Sequence, residues 1–192
     1  MIKNSINGEY FDQNELKNIN FKKCGKNVLI SKLSTIVNAN RIEIKNNVRI
    51  DDFSVIIGGD GSNLLKLGSN VHISSFCFLN GKSGIEMKDY SGIGLGVKLF
   101  TVNDDFSGRS MTNPTTPKNK KKLNTGLIII GKAVNIGVNS TIMPGSKIGN
   151  YSSVGSYSVV KGILKSGYVY YGNPAQPLYK KFDQIRNLVK KK

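Results

Sequence analysis

The sequence predicts an all-β solenoid, a chain wound into stacked coils of short parallel strands, and three observations carry that expectation. From residue 130 an aliphatic side chain returns at every sixth position: Ile130, Ile136, Ile142, Ile148, Val154 and Val160. A second set, Val134, Ser140, Ser146, Ser152 and Ser158, sits two residues before the next aliphatic each time. Glycine follows the aliphatic at Gly131, Gly137, Gly149 and Gly155. A helix would repeat at 3.6 residues and a half-buried strand at 2. Residues two apart share one face of an extended strand, and the remaining step of four carries the chain around a corner. At that corner a missing Cβ is expected to ease the bend. Sides of six residues that keep turning one way build a β-helix.

Taken in chain order, residues 1–23 form an N-terminal segment without an apolar core of the secretory type, and no stretch reaches the ~18 apolar residues of a membrane span. A cytoplasmic location is the expectation. The six-residue frame then recurs at 24, 30, 36; at 44, 50, 56; at 67, 73, 79; and at 87, 93, 99. These blocks start about twenty residues apart, one coil each, and residues 130–165 supply two more, so about six coils are expected over 24–175. Cys24 and Cys77 fall on inward positions and read as core side chains. Between about 100 and 127 the period fails in a Gly-, Pro-, Asn- and Lys-containing stretch, and long aperiodic excursions are commonly functional. After the last coil, 176–192 reads as a short basic helix, with Leu178, Phe182, Ile185 and Val189 on its apolar face.

Lys and Arg number 28 against 12 Asp and Glu, a formal charge of +16. A surface this basic attracts anions, although an AT-rich codon supply gives the same bias. Nucleic acid is disfavoured, because the loop lysines have no interleaved aromatics and no recognition motif appears. The membrane surface is the weaker alternative for the basic C-terminal helix. A single histidine cannot furnish a three-histidine zinc site, so no metal is expected.

The segments "GVNSTIMPGSKIGNYSSVGSYSVV" and "YYGNPAQPLYKK" resemble the hexapeptide-repeat acetyltransferases, and the resemblance spans residues 24–181. Within that family "NNVRIDDF", "NVHISSF" and "DDFSGRSMTNPTTP" are similar to the sugar-nucleotide subgroup that acts on dTDP-4-amino-4,6-dideoxyglucose. The resemblance implies a left-handed parallel β-helix, acetyl-CoA as co-substrate, a nucleotide-sugar acceptor, and homotrimers with active sites between subunits. The implied setting is the building of surface polysaccharide such as O-antigen or capsule. By the same resemblance Gly137 and Ser156 lie along the thioester and pantetheine arm. Asn173, Pro174 and Ala175 form the closing turn, and Lys161, Lys180 and Lys181 face the coenzyme phosphates. Each lysine also reads as one more solvated charge.

His72 precedes inward Ile73 and therefore points outward, with Arg49, Gly92 and Asn135 at the equivalent place on neighbouring coils. Imidazole suits proton transfer near neutral pH. The family's O-acetyltransferases carry a histidine in the excursion, where this chain has Asn103, Asp104 and Asp105. The base is thus His72, a loop carboxylate, or no protein group. An amine acceptor needs less help than a hydroxyl, which favours N-acetylation over sugar O-acetylation.

Overall fold

The aliphatic frame is the core of the protein. The computed structural model describes residues 9–182 and 184–190. Ile130, Ile136, Ile142, Ile148, Val154 and Val160 are all buried, as are Val134, Ser140, Ser146, Ser152 and Ser158. Their strands stack coil on coil into three parallel sheets, the sides of a left-handed prism. The first sheet starts at Lys23–Cys24 and ends at Ile163–Leu164, with seven strands. The second runs from Leu29–Ile30 to Tyr168–Tyr171 and adds the antiparallel strand Gln176–Lys180. The third holds six strands, from Thr35–Val37 to Val159–Val160.

The corners explain the local sequence. Three residues past the inward aliphatic the backbone enters the left-handed region, at Phe53, Phe76, Asn139 and Tyr157 on the second-to-third corner. On the first-to-second corner Asn27, Asn47 and Asn70 do the same, and their side chains hydrogen-bond in a stack at 3.1 Å per step. Asparagine tolerates that conformation better than most residues. The glycines directly after the aliphatics are therefore not the bends the sequence suggested. At Gly137 a Cβ would lie 2.5 Å from the Ser156 nitrogen of the next coil, so glycine is needed there because the coils approach closely.

Every irregularity in coil length sits at the third corner, between the third and first sheets. The 3-10 turn Ala39–Arg41 is there, and so is the excursion. That excursion is an ordered antiparallel hairpin, Val102–Asp104 against Leu123–Thr125, carrying the 3-10 turn Lys118–Lys120. Thr101 closes its neck: its hydroxyl donates to the Asn80 carbonyl at 2.6 Å and its carbonyl accepts from Gly126.

Two expectations need correction. Cys77 is buried, but Cys24 is exposed, because its strand is the outermost of the first sheet and pairs with only one neighbour. The C-terminal helix covers only Gln184–Lys190, while Gln176–Lys180 is a strand that pairs with the otherwise open edge of Tyr168–Tyr171. Leu178 and Phe182 lie outside the helix and are exposed. Residues 1–8 of the expected N-terminal segment, and 183, 191 and 192 of the C-terminal one, lie outside the described residues. At the N-terminus the short helix Gln13–Asn18 is closed by a capping box between Asp12 and Glu15, and its Leu16 seals the first coil.

The inward serines are fasteners between corners. The Ser140 hydroxyl donates to the Gly155 carbonyl at 2.9 Å and accepts from the Ser158 N–H at 3.2 Å. Replacing Ser140 by Ala strands both groups in the core, a loss of about 1–3 kcal/mol. Chemical denaturation of Ser140→Ala is expected to show that loss with an unchanged m-value, whereas wild-type stability would refute the fastening role.

Candidate active site

The second sheet aligns one outward residue from every coil into a ladder: Leu29, Arg49, His72, Gly92, Asn135, Ser153 and Val169. His72 is exposed while Ile73 beside it is buried, so the imidazole faces solvent. Asn135 lies two rungs from His72, with Gly92 between them.

One carboxylate sets the chemistry of this ladder. Asp51, directly after inward Ile50, reaches diagonally to the next coil, where its Oδ2 lies 2.8 Å from His72 Nε2. Its Oδ1 accepts from Arg49 Nε at 2.6 Å and from the Tyr10 hydroxyl at 3.3 Å. Tyr10 arrives from the N-terminal segment, and the Arg49 guanidinium also lies over its ring at 5.9 Å. Burial alone would raise the Asp51 pKa, but hydrogen bonds from His72 and Arg49 outweigh it and hold the carboxyl below its ordinary value. An ionised carboxylate only accepts hydrogen bonds. Nε2 therefore carries the proton, and the lone pair of neutral His72 is on Nδ1, the nitrogen suited to act as a base. Asp51 and Tyr10 were not among the residues the sequence singled out. The available signal was the place of Asp51, one step past an inward residue on the coil adjoining His72.

The corner next to this ladder carries open backbone donors. Gly137 donates its own N–H to the Val154 carbonyl at 2.7 Å. The next N–H groups in the corners, those of Val138 and Ser156, donate to no group among the described residues. A Cβ on Gly94 would stand 3.1 Å from the Val138 nitrogen, and one on Gly137 would cover that of Ser156. Glycine at these two places leaves both amides uncovered, on the coils of Asn135 and Ser153, two and three rungs from His72. Backbone donors presented this way suit a carbonyl oxygen that gains negative charge.

The remaining sequence-derived candidates fall elsewhere. Asn103 and Asp104 lie in the hairpin, paired across from Asn124 and Leu123. Asp105 caps its own turn, accepting from the Ser107 N–H and hydroxyl, each at 3.0 Å, and the Ser107 N–H foremost holds its pKa down. Asn103, Phe106, Met143, Pro144 and Lys161 surround a cleft of about 410 Å³ between the hairpin and the third corner. No hydrogen bond or ion pair joins the hairpin carboxylates to His72 within one chain among the described residues. Lys161 and Ala175 border a second cleft of about 410 Å³ at the C-terminal end of the solenoid. The Asn173–Pro174 bond, which is cis, and the Ala175 N–H to Val159 carbonyl contact at 2.8 Å form the closing turn. Lys181 Nζ donates to Ser153 Oγ at 2.9 Å, one rung past Asn135, and burial pushes its pKa down. Lys180, opposite Tyr168, is exposed. The structure thus gathers Arg49, His72 and Asn135 on one ladder, with Gly137 and Ser156 beside it. It leaves the hairpin residues and Lys161 at another corner. No group of three or more metal-binding side chains occurs among the described residues, and no described helix is long and apolar enough to cross a membrane.

Comparison with known proteins places this architecture. Residues 128–162 match the bacterial transferase hexapeptide (six repeats) family. The chain is 33% identical to an Escherichia coli dTDP-4-amino-4,6-dideoxy-D-glucose acyltransferase, over 93% of this chain and 92% of that one. It is 39% identical to AntD, an N-acyltransferase from Bacillus cereus, solved in complex with dTDP and 3-hydroxybutyryl-CoA; the TM-score is 0.88, covering 95% of each chain. A variant of AntD in complex with dTDP-4-amino-4,6-dideoxyglucose and coenzyme A aligns with a TM-score of 0.91 over 96% of each chain.

The lowered Asp51 pKa has a definite pH signature. A carboxyl depressed on folding stabilises the native state above its unfolded pKa of ~4, and that contribution is lost as pH falls through the folded value. The stability gap between wild type and Asp51→Asn, measured by denaturation from pH 7 to pH 2, is expected to close in acid. A gap that stays constant over that range would contradict the clamp.

Proposed function

We propose, from the premise that this chain belongs to the hexapeptide-repeat acyltransferases that serve nucleotide-linked 4-amino sugars, that it moves an acyl group from coenzyme A to such an amine. The acceptor is dTDP-4-amino-4,6-dideoxyglucose or a near relative, and acetyl-CoA is the expected donor. The observation that carries the assignment of roles is the Asp51–His72 pair on a ladder beside uncovered corner amides.

The chemistry follows from the groups present. The neutral amine attacks the thioester carbonyl within one ternary complex. The new C–N bond pushes the carbonyl electrons onto oxygen, where the Val138 N–H receives the charge. His72 Nδ1 takes the surplus proton of the ammonium, and Asp51 steadies the imidazolium that forms. Collapse of the adduct reforms the carbonyl and breaks the C–S bond, and the proton held by His72 passes to the departing thiolate. Cys77 is buried with its thiol pKa pushed up to about 11, so it does not suit a covalent acyl relay. The hairpin carboxylate Asp104 and the amide of Asn103 reach the acceptor from a neighbouring subunit in a homotrimer. The basic surface, with Lys161, Lys180 and Lys181 toward the C-terminal end, draws in the diphosphates of both substrates.

A homotrimer is supported by the exposed apolar edge along the second-to-third corner. Leu33, Phe53, Phe76 and Leu95 follow one another down it, each more than 40% exposed, and the rings of Phe53 and Phe76 stack at 5.1 Å. An edge of this kind on a soluble subunit is characteristic of an interface.

Three measurements test the reading. Purified protein given acetyl-CoA is expected to acylate dTDP-4-amino-4,6-dideoxyglucose with sequential kinetics and to leave the corresponding 4-hydroxy sugar untouched; the reverse preference would establish O-acylation. His72→Asn is expected to lower kcat by ~10²-fold or more, and an unchanged kcat would remove His72 as the base. Phe53→Glu together with Phe76→Glu is expected to shift the sedimenting species from trimer to monomer, whereas an unshifted trimer would place the interface elsewhere.

A further inference from the structure

Glycine in a strand loses side-chain packing and backbone entropy, about 0.5–1 kcal/mol relative to alanine, so each one invites a reason. In this chain the reason is nearly always steric. Of the described glycines, eight adopt a left-handed backbone, among them Gly96, Gly145 and Gly172. Nearly all the others would drive a Cβ to within 3.0 Å of a neighbouring coil or segment, as at Gly68, Gly131 and Gly137. Gly94 is tight, with a Cβ at 3.1 Å from Val138. Gly92 alone meets neither condition. Its φ is not left-handed, and a Cβ built on it meets only Asn135 Oδ1 at 3.6 Å and the His72 carbonyl at 3.8 Å, which is ordinary contact. Nothing in the fold requires glycine there.

Its position supplies another reason. Gly92 is the rung between His72 and Asn135, and rungs rise by ~4.8 Å. The ladder therefore has a gap one side chain deep, with the imidazole on one wall and the Asn135 amide on the other. The upper wall is fixed by Asp51, at 2.8 Å from Nε2. Two residues on, Gly94 uncovers the Val138 N–H on the same outer surface. A group that gives a proton to His72 while attacking a carbonyl held at Val138 must lie at this level, and the acceptor satisfies both demands. Strands tolerate interior glycine where a ligand approaches the backbone closely.

We propose that Gly92 is a specificity-determining position, whose missing side chain opens a notch between His72 and Asn135 for the amine-bearing edge of the acceptor sugar. The inference rests on the acyltransferase reading above and deepens it by locating the acceptor. A pyranose edge seats flat against the backbone of Gly92, its amine toward His72 and its adjacent hydroxyl toward the Asn135 amide. The donor thioester occupies the corner side, so filling the notch disturbs the acceptor and spares the donor.

Gly92→Ala and Gly92→Ser test this with the full-length chain and acetyl-CoA plus dTDP-4-amino-4,6-dideoxyglucose. Both variants are expected to melt at or above the wild-type temperature. Their kcat/KM for the amino sugar is expected to fall by at least about tenfold, with the loss larger for Ser, while KM for acetyl-CoA stays within about twofold. An active wild type whose Gly92→Ala variant retains full kcat/KM would overturn the notch. So would a Gly92→Ala protein that melts well below wild type or fails to fold, because the position would then be a packing requirement. An equal rise in the KM for acetyl-CoA would move the gap to the donor. A wild-type protein that acylates no nucleotide-linked amino sugar is a different result, and it would remove the acyltransferase reading together with the notch.

Discussion

Coil-to-coil backbone hydrogen bonding is the constraint from which the rest of this protein follows. Each strand is so short that its amides find partners only on the coils above and below, as in the descending bonds from Arg49 to Val71, His72 to Ser91, Gly92 to Val134 and Asn135 to Ser152. That requirement fixes the rise and forbids register slip, since a one-residue shift would turn every inward aliphatic out to water. It also leaves polar groups at the corners that have no strand to pair with. Buried serines answer on the inside, where Ser140, Ser146, Ser152 and Ser158 each bond to a backbone group. Asparagines answer on the outside, where Asn27, Asn47 and Asn70 bond to one another. A scaffold so tightly indexed turns sequence distance into spatial distance, and the ladder of Arg49, His72, Gly92 and Asn135 is the direct result.

The same indexing gives the site its electrostatics. This chain carries far more cations than anions, and a buried acid among them is expensive unless it is fully used. Asp51 is fully used: Arg49, Tyr10 and His72 all turn toward it. The Arg49 guanidinium pins one carboxylate oxygen and so leaves the other in a fixed direction for the imidazole. Positioning comes from the geometry of a backbone rung, and the tautomer comes from a carboxylate that hydrogen bonds from His72 and Arg49 keep ionised. Neither depends on a flexible loop, and the base role proposed for His72 calls for that fixed geometry.

The coil frame, the inward residues and the outward place of His72 were legible in the sequence because a period of six is a local signal. Each aliphatic states its own orientation, and equivalent rungs then follow by counting. What was not legible depends on contacts between coils. Asp51 belongs to the His72 site through a diagonal step to the next coil, and the frame, which places it one step past inward Ile50, does not state that this contact forms. Gly137 is opaque for the same reason: along the chain it resembles a bend, while across the coils it is a clearance. Cys24 follows the frame but occupies the last rung, and periodicity carries no information about where a stack ends. Leu178 and Phe182 suit a helical face, although Leu178 sits in the strand Gln176–Lys180 and Phe182 lies beyond it. The unpaired edge of Tyr168–Tyr171, a tertiary feature, decides otherwise.

All coil-length irregularities collect at one corner. The first-to-second and second-to-third corners are held to the same few residues on every coil, which keeps the second-sheet ladder in line. The third corner has no such duty, and there the chain admits a 3-10 turn in one coil and the whole hairpin in another. The consequence is a molecule whose Asp51–His72 pair and whose hairpin lie on different sides of one triangular prism. A hairpin that reached round to its own second sheet would have to cross an entire face of the solenoid. On the proposed reading, in which the hairpin and the Asp51–His72 pair serve one acceptor, that separation is the reason a neighbouring copy would supply the hairpin, independent of the apolar residues on the second-to-third edge.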